Sequence, residues 1–176
     1  MREAVLRLKR GREARARIHP WIFKGDVADV TAAEPGATVT VVDGSGRFLG
    51  RGIYNPRPAL CCRIITWQDE PLDAGLLRRR IEAAVAARGG PPAPVLGRLV
   101  WSEADGLPGF VADRYGPVLV LQCSTLGLAL RRADLARSLR AIVGPLPVLS
   151  ADDAAPARLE GFEPSRGWLD EPGPAG

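Results

Sequence analysis

The stretch HPWIFKGDV, residues 19–27, lies at the centre of the segment that decides the fold, residues 8–63. A basic run, KRGREARAR in residues 9–17, precedes it. A glycine-punctuated segment, GRFLGRGIYNP in residues 46–56, follows it and is typical of strands and turns. Cations, aromatic side chains and tight turns therefore concentrate in one part of the chain, and no later segment repeats that combination.

The net charge of +4 is distributed unevenly along the 176 residues. Residues 1–63 carry twelve Lys and Arg against six Asp and Glu, a balance of +6, whereas residues 64–176 carry twelve against fourteen, a balance of −2. Arginine outnumbers lysine 22 to 2, which indicates a compositional bias, so the asymmetry between the halves is the better evidence. A basic segment binds polyanions by neutralising neighbouring phosphates and releasing their counterions. The first hypothesis is an RNA-binding face within residues 1–63.

Cations that flank turns are the candidates for phosphate contacts, because a rigid turn projects its side chains toward a ligand. The predicted phosphate contacts are Lys9, Arg10, Arg17, Lys24, Arg47, Arg51 and Arg63. Tyr54 is predicted to stack on an unpaired base, as aromatic side chains do in RNA recognition.

The hydrophobic pattern of the first 67 residues predicts short strands separated by turns. The predicted strands are residues 4–8, 38–42, 47–54 and 59–67. DGSG, residues 43–46, closes a hairpin, and Gly50 and Gly52 inside a strand predict a bulge or a close backbone approach. Short strands with turns at this spacing indicate a small β-barrel.

Local chemistry predicts structural roles for the side chains of the central stretch. His19 precedes Pro20, which biases it away from the helical region, so we predict that it ties down a turn and does no chemistry. At least two of the three apolar side chains Trp21, Ile22 and Phe23 are predicted to lie in the core.

Beyond QDEP, residues 68–71, the pattern changes to mixed helix and strand. Asp73 is predicted to cap a helix that ends near Arg88. A second helix is predicted at residues 131–143, and strands at residues 98–101, 109–113, 117–123 and 147–150. The predicted fold class is α+β. The predicted domains are residues 1–70 and 71–150, followed by a linker or tail, partly disordered, at 151–176.

Catalytic chemistry has little support in the sequence. One histidine and three cysteines give no metal-ligand spacing, and Cys61 and Cys62 are adjacent strand residues. Glu103 and Asp105 are the best carboxylate pair, but the turn signals around them favour a structural role. Only 27 residues lie beyond Leu149, too few for a doubly wound methyltransferase domain of roughly 150 residues. The cysteine usage and the lack of a long apolar run indicate a cytoplasmic protein without a membrane partner.

Three motifs, in order along the chain, resemble a known family. They are KRG with HPWIF in residues 9–23, GRGIYNP in residues 50–56 followed by Arg63, and EADGLPG with VADRYG in residues 103–116. The first two resemble the PUA domain of bacterial 23S ribosomal RNA 5-methylcytosine methyltransferases of the large-subunit methyltransferase I type. The third resembles the central α/β domain of that family, and RLEGF, residues 158–162, resembles the approach to its catalytic domain.

The resemblance implies a PUA-like β-barrel followed by a small α/β domain with a mixed sheet and two helices. It also implies 23S rRNA as partner and S-adenosylmethionine (SAM) as the family's methyl donor. In the family, the donor pocket and the catalytic cysteines belong to a C-terminal Rossmann-like domain, which is expected to be missing here. Cys61, Cys62 and Cys123 match no catalytic motif, so no catalytic role is transferred to them.

The expected function is the RNA-recognition portion of an rRNA methyltransferase, truncated naturally or by choice of fragment. Neither a cofactor nor a metal is expected in this chain. Two alternatives stay open: a free-standing PUA-type adaptor for RNA or protein, and a small enzyme that uses Glu103 and Asp105. A homodimer is also left open.

Overall fold

The computed structural model describes residues 4–90, 93 and 95–169. The chain forms two compact units, unit 1 (Met1–Leu72) and unit 2 (Asp73–Gly176). The elements of unit 1 are β1 (Val5–Leu8), α1 (Glu13–Ala16), β2 (Trp21–Phe23), a 3₁₀ turn (Lys24–Asp26), β3 (Val27–Thr31), β4 (Thr38–Val42), β5 (Phe48–Tyr54) and β6 (Leu60–Thr66).

The strands of unit 1 form one curled sheet. Among the described residues it has six strands in the order β2-β6-β5-β4-β1-β3, all antiparallel except the neighbours β1 and β4. The two edge strands, β2 and β3, are separated in the chain by only the turn Lys24–Asp26, so the two edges lie close together and the sheet must curl. Its strands and helix α1 contribute to one core cluster: Leu6, Leu8, Ala16, Ile22, Val39, Val41, Leu49, Cys62 and Ile64.

Glycine permits the close pairing of β5 with β6. A Cβ atom on Gly52 would lie 2.6 Å from the carbonyl oxygen of Arg63, and one on Gly50 would lie 2.8 Å from the carbonyl oxygen of Thr66. The register between the two strands shifts at Arg51 and Gly52. The predicted bulge and close backbone approach are therefore confirmed.

Unit 2 contains helices packed with a second sheet. Its elements are α2 (Ala74–Ala87), β7 (Leu96–Trp101), a 3₁₀ turn (Ser102–Asp105), β8 (Phe110–Tyr115), β9 (Val118–Cys123), α3 (Leu126–Ala129), α4 (Arg132–Val143), β10 (Val148–Ala151), α5 (Ala154–Glu160) and β11 (Arg166–Trp168). The described residues give a five-stranded mixed sheet, β11-β10-β9-β8-β7, in which β9 and β10 are parallel and the other neighbours antiparallel. The α+β class is confirmed.

Helix α2 begins and ends as its sequence predicts. The Asp73 carboxylate accepts a hydrogen bond from the Leu76 N–H at 2.9 Å and satisfies one of the helix's unpaired donors. Leu77, Ile81 and Val85 recur at four-residue spacing and are buried. None of the helices among the described residues is long and apolar enough to cross a membrane.

The structure corrects the prediction for residues 151–169, which were expected to be a linker or tail. They form α5 and β11, and β11 pairs with β10. The segment is held by Asp152, whose fully buried carboxylate accepts hydrogen bonds from the N–H groups of Cys123 (2.8 Å) and Ser165 (2.9 Å). Asp152 also forms an ion pair with Arg132. Polar contacts hold this segment, so its apolar pattern is weak and did not predict an ordered structure. The rest of the predicted tail, residues 170–176, lies outside the described residues.

Two further differences concern element number. Two helices were predicted beyond residue 70, whereas the described part of unit 2 also contains the short helices α3 and α5. In unit 1, β2 and β3 were not predicted as strands. Both lie at the sheet edges, and neither has the alternation of a half-buried strand: β2 is apolar throughout, and β3 has no fully buried residue.

Candidate nucleic-acid interface

Three segments of unit 1 meet around the turn Lys24–Asp26. The Lys9 ammonium donates a hydrogen bond to the Gly25 carbonyl at 2.9 Å, and the Lys9 N–H donates to the Asp26 carbonyl at 2.9 Å. Arg12, which precedes α1, lies 3.6 Å from the Asp26 carboxylate. These contacts bring the basic run of residues 9–17 against the turn.

Lys24 is anchored to the loop between β5 and β6. Its ammonium donates to the Arg57 carbonyl at 3.0 Å, and its N–H donates to the Ala59 carbonyl at 2.9 Å. A lysine ammonium has three donors, so one carbonyl contact leaves two for a ligand. Lys9 and Lys24 are thus both exposed cations held in place by neutral carbonyl groups, without loss of charge.

Arg10 lies against the hairpin that follows β4. A Cβ atom on Gly44 would approach the Arg10 Cγ to 2.6 Å, so the glycine makes room for the arginine stem. Arg10 and Arg17 are exposed, and no acidic side chain within residues 4–90, 93 and 95–169 pairs with either of them. We call Lys9, Arg10, Arg17, Lys24 and Arg57 the basic rim.

Arg57 was missed by the sequence analysis. It is exposed between Pro56 and Pro58, and its N–H donates to the Asn55 side chain at 3.1 Å. A cation on a loop braced by two prolines is the kind of turn-flanking residue that selected the other candidates. The signal was therefore present in the sequence.

Asp43 organises the hairpin and neutralises Arg47. Its carboxylate accepts hydrogen bonds from the Ser45 hydroxyl (2.6 Å), the Ser45 N–H (2.8 Å), the Arg47 N–H (3.0 Å) and the Arg47 Nε (2.7 Å). The Ser45 hydroxyl bond is the largest cause that holds the pKa of Asp43 well below its usual range; burial opposes it, and the Arg47 bonds reinforce it. Arg47 is exposed but already paired.

Arg51 and Arg63 are also engaged within the protein. Arg51 donates to the Thr40 hydroxyl at 2.9 Å and pairs with Asp69 at 2.6 Å. Arg63 is half-buried on β6, directly opposite Trp21 on β2, and has an interaction of its own. The predicted phosphate contacts thus divide into cations without acidic partners and cations that a ligand would have to compete for.

Tyr54 lies at the end of β5 with its ring against the core cluster. It is paired in register with Cys62, a member of that cluster, and is half-buried. Burial raises the pKa of the Tyr54 hydroxyl, with smaller contributions from Cys61 and Cys62. Its role in stacking stays a prediction.

The prediction for the aromatic stretch is partly wrong. Only Ile22 is in the core, 2% exposed, whereas Trp21 and Phe23 are half-buried. In an extended strand alternate side chains point to opposite faces, so an inward Ile22 turns both aromatic rings outward. The turn-forming role predicted for His19 is confirmed, because its Nδ1 accepts the Trp21 N–H at 3.2 Å.

The three cysteines are buried free thiols. Burial raises the pKa of all three, that of Cys123 to about 12, and so disfavours the reactive thiolate at neutral pH. Within the described ranges, no three His, Cys, Asp or Glu side chains are placed to hold a metal ion.

Glu103 and Asp105 lie on the 3₁₀ turn after β7. Asp105 pairs with Arg88 at 2.8 Å and accepts the Trp101 N–H at 2.5 Å, while Glu103 accepts a hydrogen bond from the Ser102 hydroxyl. Gly106 ends the turn at φ 67°. These contacts support a structural turn.

We therefore expect Gly106→Val to lower the free energy of unfolding by about 1–3 kcal/mol, because a β-branched side chain resists the left-handed conformation. Ala104→Val, on the same turn but without a positive φ, serves as control and should cost less. Urea unfolding measures both. Equal costs would contradict the backbone argument.

A cavity of about 490 Å³ lies beside α4 in unit 2. Three arginines line it, but Arg132 pairs with Asp152, Arg137 pairs with Asp134 at 2.6 Å, and Arg140 donates to the Leu146 carbonyl at 3.0 Å. Since these arginines are internally engaged, the cavity is a weaker anion site than the basic rim.

Comparison with known proteins confirms the predicted resemblance. Residues 6–67 match the family described as PUA-like domain. The chain is 35% identical over 169 residues to "Ribosomal RNA large subunit methyltransferase I" of Erwinia tasmaniensis, covering 91% of this chain and 42% of the relative. It is 35% identical over 171 residues to the protein of the same name from Shigella flexneri, with 92% and 42% coverage. The chain thus spans about two fifths of the length of the curated relatives it matches.

Solved structures share the fold at low sequence identity. One is a crystal structure of a proposed methyltransferase complexed with SAH, with a TM-score of 0.71 and 14% identity, covering 84% of this chain and 40% of that chain. Another is a proposed SAM-dependent methyltransferase from Streptococcus mutans, with a TM-score of 0.67 and 13% identity, covering 84% and 41%. At this identity the likeness concerns the fold alone.

Proposed function

We propose that this chain, which is related in sequence to ribosomal RNA large subunit methyltransferase I, supplies the RNA-recognition portion of an rRNA (cytosine-5) methyltransferase. Unit 1 binds RNA, with 23S rRNA in the cytoplasm as the substrate. The observation that carries the proposal is the basic rim, a set of exposed cations without acidic partners among the described residues. Two of them, Lys9 and Lys24, are held beside the turn Lys24–Asp26 by backbone carbonyls.

Two classes of cation act in this proposal. Direct phosphate contacts come from the cations that need displace no internal carboxylate, namely Lys9, Arg10, Arg17 and Lys24. Arg47, Arg51 and Arg63 contribute less, since each must exchange an internal partner for a phosphate. Binding is accordingly weak for a single RNA and depends on salt.

The described residues do not fit a SAM site. Doubly wound folds bind such cofactors at the carboxyl ends of neighbouring parallel strands, beside a glycine-rich turn into a helix. In unit 2 the parallel neighbours are β9 and β10. Asp152 directly follows β10, and its carboxylate accepts a hydrogen bond from the N–H of Cys123, the last residue of β9, so a side chain of the protein already bridges the two carboxyl ends. In unit 1 the parallel neighbours are β1 and β4, and β4 leads into a hairpin. We therefore propose that the methyl donor binds outside the described residues.

Titration calorimetry with SAM is expected to show no saturable binding to this chain at micromolar donor. The reason is that both parallel strand pairs lack a glycine-rich strand–turn–helix. A saturable micromolar site would contradict this assignment, whereas the RNA-binding proposal does not depend on it.

The RNA proposal is tested by fluorescence anisotropy with a labelled RNA hairpin that has a single-stranded loop. Lys24→Ala should weaken binding about fourfold near 0.15 M salt, the effect of losing one phosphate contact, and do so equally for unrelated loop sequences. Arg137→Ala, an exposed cation of unit 2, should leave affinity unchanged. Equal losses of affinity for the two variants would indicate diffuse charge attraction and would contradict an RNA site at the basic rim.

A further inference from the structure

The outward rings of Trp21 and Phe23 form an aromatic surface beside the basic rim. Both are carried by β2, an edge strand that pairs only with β6 among the described strands. Side chains two residues apart on a strand are separated by about 6.6 Å and share a face. Ile22, between them, lies in the core, so both aromatic side chains start from the opposite face of β2.

Two cationic side chains and a histidine ring neighbour this surface. The Arg15 guanidinium lies 5.0 Å from the centre of the Phe23 ring, and Lys24 follows Phe23 directly in the chain. The His19 ring contacts Trp21 edge-on at 5.1 Å between ring centres. Aromatic faces interleaved with cations are the combination that binds single-stranded nucleic acid, because bases stack on the rings while phosphates meet the cations.

We propose that Trp21 and Phe23 are a stacking platform for two adjacent unpaired bases of the bound RNA. This inference rests on the proposed function and assigns the base-contacting role to these two rings rather than to Tyr54, whose ring packs against the core cluster. Lys24 and Arg15 contact the phosphates that flank the stacked bases.

The Arg15 guanidinium occupies the position over Phe23 that the proposal gives to a base. An exposed cation–π contact shifts the equilibrium toward the stacked arginine by a factor of about two to five. Base stacking on an aromatic side chain favours binding about five- to 150-fold per base. The base therefore displaces Arg15, which is exposed and can move to a neighbouring phosphate.

The test uses the whole chain, a labelled RNA hairpin with a single-stranded loop, and the same RNA with abasic loop nucleotides. The wild type should bind the abasic RNA at least fivefold more weakly. Phe23→Leu retains an apolar side chain but removes the aromatic face, so it should lose at least fivefold affinity for the intact RNA and none for the abasic RNA. Phe23→Tyr should retain wild-type binding. Tyr115→Leu, at an exposed aromatic of unit 2, is the matched control and should change nothing.

The outcomes separate this inference from the function on which it rests. If wild type binds intact and abasic RNA equally, the platform is wrong and phosphate binding by the basic rim still stands. If Tyr115→Leu loses as much as Phe23→Leu, the aromatic contact is not at β2. If neither RNA binds at any salt concentration, the proposed function itself fails. The comparison of intact with abasic RNA uses the wild type alone. It therefore still tests the stacking platform if Phe23→Leu fails to fold.

Discussion

Asp152→Asn is expected to lower the free energy of unfolding of unit 2 by about 3–5 kcal/mol, because it leaves the Arg132 guanidinium without its buried partner. Asp152 is fully buried. Its carboxylate joins three parts of unit 2: β9 through the Cys123 N–H, the segment before β11 through the Ser165 N–H, and α4 through the Arg132 guanidinium. An asparagine retains one oxygen acceptor but no charge. Unfolding in urea, followed by circular dichroism, measures the loss.

The neighbouring residue supplies the control for this substitution. Asp153 is exposed, and its side chain makes no capping hydrogen bond to α5. Asp153→Asn removes the same charge from the next position and should cost at most about 1 kcal/mol. If the two substitutions cost the same, the buried network does not hold residues 151–169 in place.

The second large effect is expected on RNA affinity. A variant with four cations of the basic rim replaced by alanine, at Lys9, Arg10, Arg17 and Lys24, should bind the RNA hairpin about 10²-fold more weakly near 0.15 M salt. The magnitude follows from four phosphate contacts at about 0.7 counterions each for single strands. Because none of these side chains neutralises a described carboxylate, the fold should remain intact, and circular dichroism checks that it does.

A control variant matches this change in charge. It replaces four exposed arginines of unit 2, at Arg78, Arg79, Arg137 and Arg158. Both variants bring the formal net charge from +4 to 0, so a difference between them reports where the charge lies and not how much there is. We expect the control to lose less than threefold. Comparable losses in both variants would contradict a defined site.

Local patterns were sufficient for much of unit 1. The β-branched run of β4 and the turn residues from Asp43 to Gly46 each favour a particular backbone, so their structure could be predicted from neighbouring residues alone. The capped start of α2 at Asp73 is equally local. Predictions were sound where the deciding contact lies within a few residues in the chain.

Contacts between distant residues account for what was missed. Asp152 meets Cys123 across 29 positions, so nothing near Asp152 indicated that residues 151–169 would be ordered. Arg51 meets Asp69 across 18 positions, and only the fold distinguishes such an engaged cation from an available one such as Lys24. The outward direction of Trp21 and Phe23 likewise depends on which face of β2 the core takes.

The central claim, that the basic rim of unit 1 binds RNA through phosphates, is tested most directly by the salt dependence of the binding constant. We expect the wild type, between about 50 and 200 mM salt, to show a slope of log K against log salt of roughly −3 to −4, corresponding to four or five phosphate contacts. The rim variant should flatten the slope to between about −1 and 0, while the unit 2 control keeps the wild-type slope. A rim variant with the same slope as the wild type would contradict the account.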